Sequence, residues 1–193
     1  MTTRPTTVIL LGPPGSGKDT QAMVLAKEYG YFILVTGDLF RAEIANQTPV
    51  GEKMQEIMGK GELLSAKLVD KIVSQELERH KSVILANGIL FDGHPRLKEE
   101  IADVERLIDR YQIRPDLAVL LDVAEENLLQ RLTARGREDD QPDVARHRID
   151  VYKKETGPVI DYYKERGKLK VVDGNPAIEQ VTEQLLSLFA AFS

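Results

Sequence analysis

A nine-residue stretch near the start of the chain, Gly12–Thr20, constrains the fold more than any other. It lies between an apolar run, Val8–Leu11, and a segment of good helix formers at 21–27. A glycine-rich turn between a buried strand and a helix points several backbone N–H groups, and the positive end of the helix dipole, at one place. Phosphate oxygens fit there, and Lys18 adds a mobile positive charge. The stretch is therefore predicted to be a phosphate-binding loop. Its predicted binding residues are Gly15, Ser16, Gly17, Lys18, Asp19 and Thr20.

Asp19 departs from the generic form of this loop. Many loops of this kind carry a magnesium-binding Ser or Thr at that position. Two interpretations of Asp19 are open. It is an acid in the first turn of a helix, where the helix dipole favours negative charge, or it acts on a metal ion directly or through water. Thr20 remains available to bond a phosphate.

Composition limits the class of protein. The chain has 193 residues, 42% of them apolar, which suffices for one compact domain with small inserted lobes. No apolar run approaches the roughly 20 residues that span a bilayer. Residues 1–5 are polar and lack a signal-peptide core. There is no cysteine, and the net charge is −5, which argues against general nucleic-acid binding. We expect a soluble, monomeric, cytoplasmic protein that binds neither nucleic acid nor membrane.

Apolar runs alternate with helical patterns along the chain, which predicts an α/β fold. The predicted strands are 8–11, 32–35, 83–91, 117–123 and 169–172. Helical stripes lie between them, including one long polar helix over about 143–164. Five strands alternating with helices predict a parallel sheet with helices on both faces. Ligands of such sheets lie beyond the carboxyl ends of the strands.

Two arginines follow predicted strand ends, so both could reach one phosphate. Arg41 comes three residues after Asp38, and Arg96 comes four after Asp92. Arginine suits bidentate phosphate contact. Asp92 itself ends an apolar strand, where a carboxylate is costly to bury unless it is paired or metal-bound. We favour magnesium binding through water for Asp92 over capping of the following turn.

An arginine-rich segment spans Arg131–Arg148. Phosphoryl transfer needs positive charge aimed at the migrating group and exclusion of water. A mobile, arginine-bearing flap supplies both once nucleotide draws it shut. A solvated, salt-bridged helix is the plainer interpretation, but it leaves Arg135 and Arg137 unexplained.

Taken together, four segments resemble adenylate kinase and its nucleoside monophosphate kinase relatives, from Val8 to about Val181. They are Gly12–Thr20, Thr36–Arg41, Asp92–Arg96 and Arg135–Arg148. The resemblance implies a P-loop fold with a monophosphate-binding lobe, about 36–66, and a short lid, about 135–146. The lid resembles the short type, not the long type that sometimes carries zinc.

The resemblance also implies a role for each site residue. Lys18, Arg137 and Arg148 would be catalytic, with the two arginines on the transferring group. The ATP site would use the phosphate-binding loop together with Arg131, Arg135 and backbone near Pro176. The acceptor site would use Thr36, Gly37, Arg41, Leu64, Gly93, Arg96 and Glu100. Mg²⁺ accompanying ATP is expected, and zinc is not.

Several residues depart from the family pattern. His94 replaces an aromatic residue, Asp19 replaces a Gly, and Arg135–Arg137 is a trimmed turn. Glu100 replaces a Gln that reads the acceptor adenine; an ionised Glu can only accept hydrogen bonds. An ionised Glu100 would suit a base edge that presents two donors, as guanine does, although AMP remains the expected acceptor. Alternatively, Glu100 points to solvent and another group reads the base.

We expect transfer of the ATP γ-phosphoryl group to AMP. Two alternatives stay open: a kinase acting on GMP, UMP or CMP, and a nucleotide-binding protein with little turnover.

Overall fold

The structure, a computed structural model, describes residues 7–111, 113 and 117–191. Residues 1–5, on which the expectation about a signal peptide depends, lie outside this range. The strands are β1 (Thr7–Leu11), β2 (Phe32–Val35), β3 (Ile89–Asp92), β4 (Leu117–Asp122) and β5 (Leu169–Asp173). The helices of the described part are α1 (Lys18–Tyr29), α2 (Thr36–Ala45), α3 (Pro49–Gly59), α4 (Ala66–Arg79), α5 (Lys81–Asn87), α6 (Lys98–Tyr111), α7 (Glu125–Arg135), α8 (Pro142–Val151), α9 (Gly157–Glu165) and α10 (Ile178–Ala190).

The five strands form one parallel sheet in the order β2-β3-β1-β4-β5. This confirms the predicted sheet. The register places Leu10 of β1 and Val35 of β2 each opposite Asp92 of β3. The segments that follow these three strands therefore begin side by side at one edge of the sheet.

Alternation along the strands builds a core on each face of the sheet. In β1, Val8 and Leu10 pack with residues of α1 and α10, such as Leu25 and Phe189. Ile9 and Leu11 face the other side, where helices α4, α6 and α9 contribute the core. Helices thus cover both faces, as a sheet of buried parallel strands requires.

The prediction of a strand over 83–91 is wrong for its first half. Residues 81–87 form helix α5, and only Ile89–Asp92 is a strand. A short apolar run does not by itself distinguish helix from strand. The neighbouring β2 has only four residues, and its first residue, Phe32, pairs with Ile89 and donates to the carbonyl of Gly88, so β2 offers residues 83–87 no partner.

The long helix predicted over 143–164 is interrupted. A π-helical turn, Tyr152–Thr156, separates α8 from α9. Pro158 lies just beyond it and has no N–H to donate, so regular α-helical bonding cannot run through this point. None of the described helices is long and apolar enough to cross a membrane.

Candidate active site

A cavity of about 620 Å³ opens at the carboxyl edge of the sheet. The segments after β1, β2 and β3 line it, together with the segment from α7 to α8 and the loop after β5. All the predicted site residues except Thr36 line this cavity. They are Gly15, Ser16, Gly17, Lys18, Asp19, Thr20, Gly37, Arg41, Leu64, Asp92, Gly93, Arg96, Glu100, Arg131, Arg135, Arg137, Arg148 and Pro176.

The glycine-rich loop has the backbone that the sequence predicts for it. Gly15 and Gly17 have φ angles of 84° and 91°, which side chains disfavour. A Cβ on Gly15 would lie 3.0 Å from the carbonyl oxygen of Leu128, so this position also has no room for one. Helix α1 begins at Lys18, and its free N–H groups face the cavity edge.

Lys18 lies folded back along the loop. Its Nζ donates to the carbonyl of Pro13 at 3.3 Å and lies 3.5 Å from Oγ of Ser16. Burial lowers the pKa of Lys18, whereas the negative charge of Asp92 raises it. Burial therefore disfavours the charged form of the amine, and Asp92 favours it. An anion bound in the cavity would favour the charged form further.

Asp92 is the most strongly perturbed acid of the cavity. Its side chain is 2% exposed. Burial raises the pKa of Asp92 to about 6; the charge of Lys18 opposes this shift and that of Asp19 adds to it. Among the described residues no hydrogen bond reaches its Oδ2 atom. A buried oxygen without a partner fits a position that a hydrated cation would complete.

Asp19 faces the arginine-rich segment as well as the loop. Its Oδ2 lies 3.9 Å from Nη2 of Arg137. Burial acts to raise the pKa of Asp19, but the charges of Lys18, Arg137 and Arg135 outweigh it and lower the pKa. Asp19 is in the first turn of α1, as one interpretation holds, and it also contributes to the charge around Asp92.

Arg41 enters the cavity from helix α2 and Arg96 from the loop after β3. Arg41 is paired with Asp38, and a Cβ on Gly37 would lie 3.2 Å from its Nη1 atom. Gly37 thus leaves room for the guanidinium. Nε of Arg96 donates to the carbonyl of Gly93 at 2.9 Å, and a Cβ on Gly93 would lie 2.7 Å from its Nη2.

Thr36 does not line the cavity, although the resemblance implies a place near the acceptor base. Its side chain is 1% exposed. The hydroxyl donates to the carbonyl of Gly93 at 2.9 Å, with that of Asp92 3.3 Å away. Thr36 therefore holds the turn after β3 in place through a hydrogen bond to its backbone, without itself lining the cavity.

Glu100 does not point to solvent, so that alternative is wrong. It is 3% exposed and lines the cavity. Its Oε2 accepts from the backbone N–H of Arg96 at 2.7 Å and of Leu97 at 3.4 Å. Burial acts to raise the pKa of Glu100, but the contact with His94 and these two N–H groups outweigh it and lower the pKa.

Three arginines in or just after the predicted lid, here called the lid arginines, are Arg135, Arg137 and Arg148. Two of them converge on Asp140, which is 3% exposed. Arg135 donates to both its oxygens, at 2.8 and 2.7 Å, and Arg148 donates to Oδ1 at 3.1 Å. Arg148 also lies 2.8 Å from Asp139. Sequence reasoning assigned Asp140 no role, yet it orders the arginines that face the cavity.

Arg131 holds the loop after β5. Its guanidinium donates to the carbonyls of Gly174 and Asn175, each at 2.9 Å, and lies 3.4 Å from that of Pro176. Gly174, Pro176 and Ala177 of this loop line the cavity.

The predicted monophosphate-binding lobe contacts helix α8 just beyond the predicted lid. Nε2 of His147 in α8 lies 2.7 Å from Oε1 of Glu62. A Cβ on Gly61 would lie 2.9 Å from Cγ of Arg148. Arg148, one of the lid arginines, therefore lies against the monophosphate-binding lobe at the cavity.

Two further cavity residues escaped the sequence reasoning. Tyr152 and Thr156 line the cavity from the π-helical turn, and no hydrogen bond to either hydroxyl is found within the described ranges. The available signal was Gly157-Pro158 within a helical pattern, since π turns in helices often mark functional sites.

Comparisons with known proteins agree with this geometry. The sequence model of the family described as adenylate kinase matches residues 10–168. A protein of Xanthomonas campestris pv. campestris named adenylate kinase is 42% identical over 183 residues, covering 92% of this chain and 96% of that protein. Proteins of the same name from Synechococcus sp. (strain RCC307) and Nocardia farcinica are 39% and 37% identical. They cover 95% and 93% of this chain, and the matches span 98% and 96% of those proteins.

Proposed function

The chain belongs to the adenylate kinase family, and we propose that it transfers the γ-phosphoryl group of ATP to AMP, giving two ADP. A phosphate oxygen of AMP attacks the γ-phosphorus in line, and the bond to the β–γ bridging oxygen breaks. The acceptor phosphate is already a nucleophile, so no general base is needed.

One observation carries the proposal. Cationic side chains from four separate segments line a single cavity: Lys18 after β1, Arg41 after β2, Arg96 after β3 and the lid arginines. In a chain of net charge −5, this local concentration suits two polyphosphate anions meeting head to head. An ATP hydrolase would need no second pair of arginines for an acceptor.

We assign the donor site to the glycine-rich loop. Backbone N–H groups at the start of α1 and the Lys18 amine would hold the ATP phosphates. Asp19 and Thr20 would border those phosphates in the first turn of α1. The loop 174–177, held by Arg131, would contact the donor adenine through backbone near Pro176.

We assign the acceptor site to the other end of the cavity. Arg41 and Arg96 would hold the phosphate of AMP, because guanidinium groups bind phosphate in a bidentate manner. Leu64 and Glu100 would lie against the base, with Gly37 and Gly93 leaving room for the two arginines. Thr36 would act by fixing the turn after β3.

Adenylate kinases use Mg²⁺ with ATP, and the residues here fit that ion. Asp92 would hold it through water, since its buried Oδ2 lacks a partner in the described residues. The described residues contain no cluster of three metal-ligating side chains, and Mg²⁺ commonly uses one or two carboxylates plus phosphates and water. The ion would neutralise charge on the phosphate oxygens.

The segments 36–66 and 135–146 would move as acceptor lobe and lid. Closure brings the lid arginines toward the transferring group and excludes water. Arg137 and Arg148 would stabilise the charge of the transferring phosphoryl group, with Arg135 along the ATP. A cytoplasmic location, a monomeric state and independence from zinc stay predictions from the sequence.

A coupled assay of ADP release tests the proposal. With ATP and Mg²⁺, AMP is expected to be the best acceptor among AMP, GMP, UMP and CMP. If another monophosphate is the better acceptor, the assignment of AMP as the acceptor is wrong. If nucleotides bind but no phosphoryl group is transferred to any of the four, the kinase assignment itself is refuted.

Two arginine variants test the division of the cavity. Arg96→Ala is expected to raise the KM for AMP by about 10-fold or more, whereas Arg137→Ala mainly lowers kcat, by about 100-fold. Arg146→Ala is the matched control, because Arg146 is exposed on α8 and lies outside the cavity lining. Equal effects of both variants on ATP binding alone would contradict the assignment.

A further inference from the structure

A buried pair, His94 and Glu100, lies behind the acceptor end of the cavity. Both side chains are almost inaccessible, at 1% and 4% exposure. Nδ1 of His94 lies 3.2 Å from Oε2 of Glu100, and neither ring nitrogen has a hydrogen bond of good geometry to a described residue. The His94 ring also packs on Phe91, with 5.9 Å between ring centroids. Burying two polar groups in contact is costly unless they serve each other.

The contacts of Glu100 are divided unequally between its two oxygens. Oε2 receives the N–H groups of Arg96 and Leu97 and faces His94. Oε1 has no hydrogen bond within the described part of the chain, and it is not among the fully buried atoms without a partner. Because Glu100 lines the cavity, Oε1 is the oxygen that a ligand can reach.

The surroundings of Glu100 suit a nucleobase. Apolar side chains of Phe40, Leu64 and Val69 line the same cavity and belong to one core cluster with the first turns of α6. A base lying among them could reach Oε1 of Glu100, and an ionised carboxylate oxygen can only accept a hydrogen bond.

We propose that Glu100, held in place by His94, makes a hydrogen-bond donor on the acceptor base a requirement for efficient phosphorylation. The donor is the amino group of adenine. His94 is a positioning residue: with the two N–H groups it fixes Oε2, so that Oε1 is presented to the cavity. This inference rests on the proposed function and adds the basis of acceptor selection.

A carboxylate and an amide side chain at position 100 respond differently when the acceptor base lacks its amino group. Adenine presents an amino donor beside an acceptor, N1. A purine without the amino group presents N1 alone, whose lone pair faces the carboxylate lone pairs. A glutamine can turn its own N–H to N1, so it tolerates that loss, whereas a carboxylate cannot. Guanine also presents donors, so comparison with GMP does not isolate the effect.

The test compares AMP with purine riboside 5′-monophosphate, which lacks only the amino group. For the unaltered protein we expect kcat/KM to favour AMP by about 30-fold or more, the range of hydrogen bonds to a charged group. In Glu100→Gln the preference should fall to about 5-fold, because a neutral bond is lost and a bond to N1 remains. Glu99→Gln is the matched control, since Glu99 is the exposed neighbour on α6, and it should keep the full preference.

The role of His94 is tested by two substitutions. His94→Phe keeps a ring against Phe91 but removes the contact with Oε2; it should lower the preference for AMP and raise the KM for AMP more than it lowers kcat. His94→Asn places an amide N–H near the position of Nδ1 and should restore the preference. A purely structural role predicts instead that His94→Phe lowers the unfolding temperature and the rates with both acceptors equally.

The outcomes separate this inference from the proposed function. If the unaltered protein phosphorylates AMP but prefers it less than about 3-fold over purine riboside monophosphate, the inference is overturned and the kinase assignment stands. The same holds if the preference is unchanged in Glu100→Gln. The comparison of AMP with purine riboside monophosphate uses the unaltered protein. It can therefore refute the proposal even if a variant fails to fold. If no monophosphate is phosphorylated, the proposed function itself fails.

Discussion

Replacing Asp92 by Asn is expected to stabilise the metal-free and nucleotide-free protein. Asp92 is 2% exposed, and burial raises its pKa from 3.8 to about 6. The gap between these values corresponds to about 3 kcal/mol that the folded protein loses when the carboxyl group ionises. Asparagine fills the same space without a charge. Activity should move the opposite way, because the variant lacks the carboxylate proposed for the magnesium site.

The sign of the pH dependence follows from the raised pKa. The contribution of Asp92 to stability is complete below pH 3.8 and is lost as the pH rises through 6. We expect the variant to be more stable by about 1.5 kcal/mol at pH 5 and by about 3 kcal/mol at pH 7.5. Urea unfolding at these two pH values, without Mg²⁺ or nucleotide, measures the difference.

Asp122→Asn is the control for Asp92→Asn. Asp122 ends β4 as Asp92 ends β3, but it is exposed, so its replacement should change stability by less than about 0.5 kcal/mol. An Asp92→Asn variant less stable than the original protein at pH 7.5, or a difference that does not grow between pH 5 and 7.5, would refute the reasoning.

Three further substitutions test the scaffold around the cavity. Asp140→Asn is expected to cost about 1.5–3 kcal/mol of stability and to lower kcat about tenfold, because Arg135 and Arg148 lose their shared carboxylate. Asp139→Asn removes a single ion pair, and an equal loss of activity and of stability in urea for that variant would contradict this reasoning. Gly61→Ala should cost about 1–2 kcal/mol and slow turnover, since φ is +81° and the new Cβ would lie 2.9 Å from a side chain of α8. A Cβ at Gly59 would meet no atom within 4 Å, so Gly59→Ala should keep or raise the unfolding temperature. If both variants lose stability equally, the contact of the new Cβ at position 61 with α8 is not the cause. Thr36→Val should cost about 1 kcal/mol and raise the KM for AMP more than that for ATP, and a change confined to ATP would place Thr36 elsewhere in the mechanism.

Local patterns were sufficient to predict the sheet and most of its helices. Largely apolar runs over 117–123 and 169–172, interrupted by Asp122 and Lys170, predict parallel strands. The observed β4 and β5 agree with them within one residue, although most of β5 is exposed. The run 83–91 misled because helix and strand can both bury a short apolar segment. The missing information was the length of β2, which limits how far β3 can pair.

Charge type and spacing also predicted which residues would meet at the cavity. Arg41, Arg96 and Arg137 lie far apart along the chain, and the strand ends that precede the first two, together with the resemblance, place all three near Lys18. Spacing could not show that Asp140 orders the lid arginines, because that depends on how the short turn after α7 folds.

The sequence by itself determined a parallel α/β sheet, a phosphate-binding loop at its edge and a surplus of arginines around it, because each follows from residue type and periodicity over short distances. Only the tertiary structure decided the states of individual polar groups. It buried Asp92 without a partner, turned Thr36 behind the cavity and set His94 against Glu100. Burial and the neighbours of a charge depend on segments distant in sequence, and these two factors govern what a side chain at the site can do.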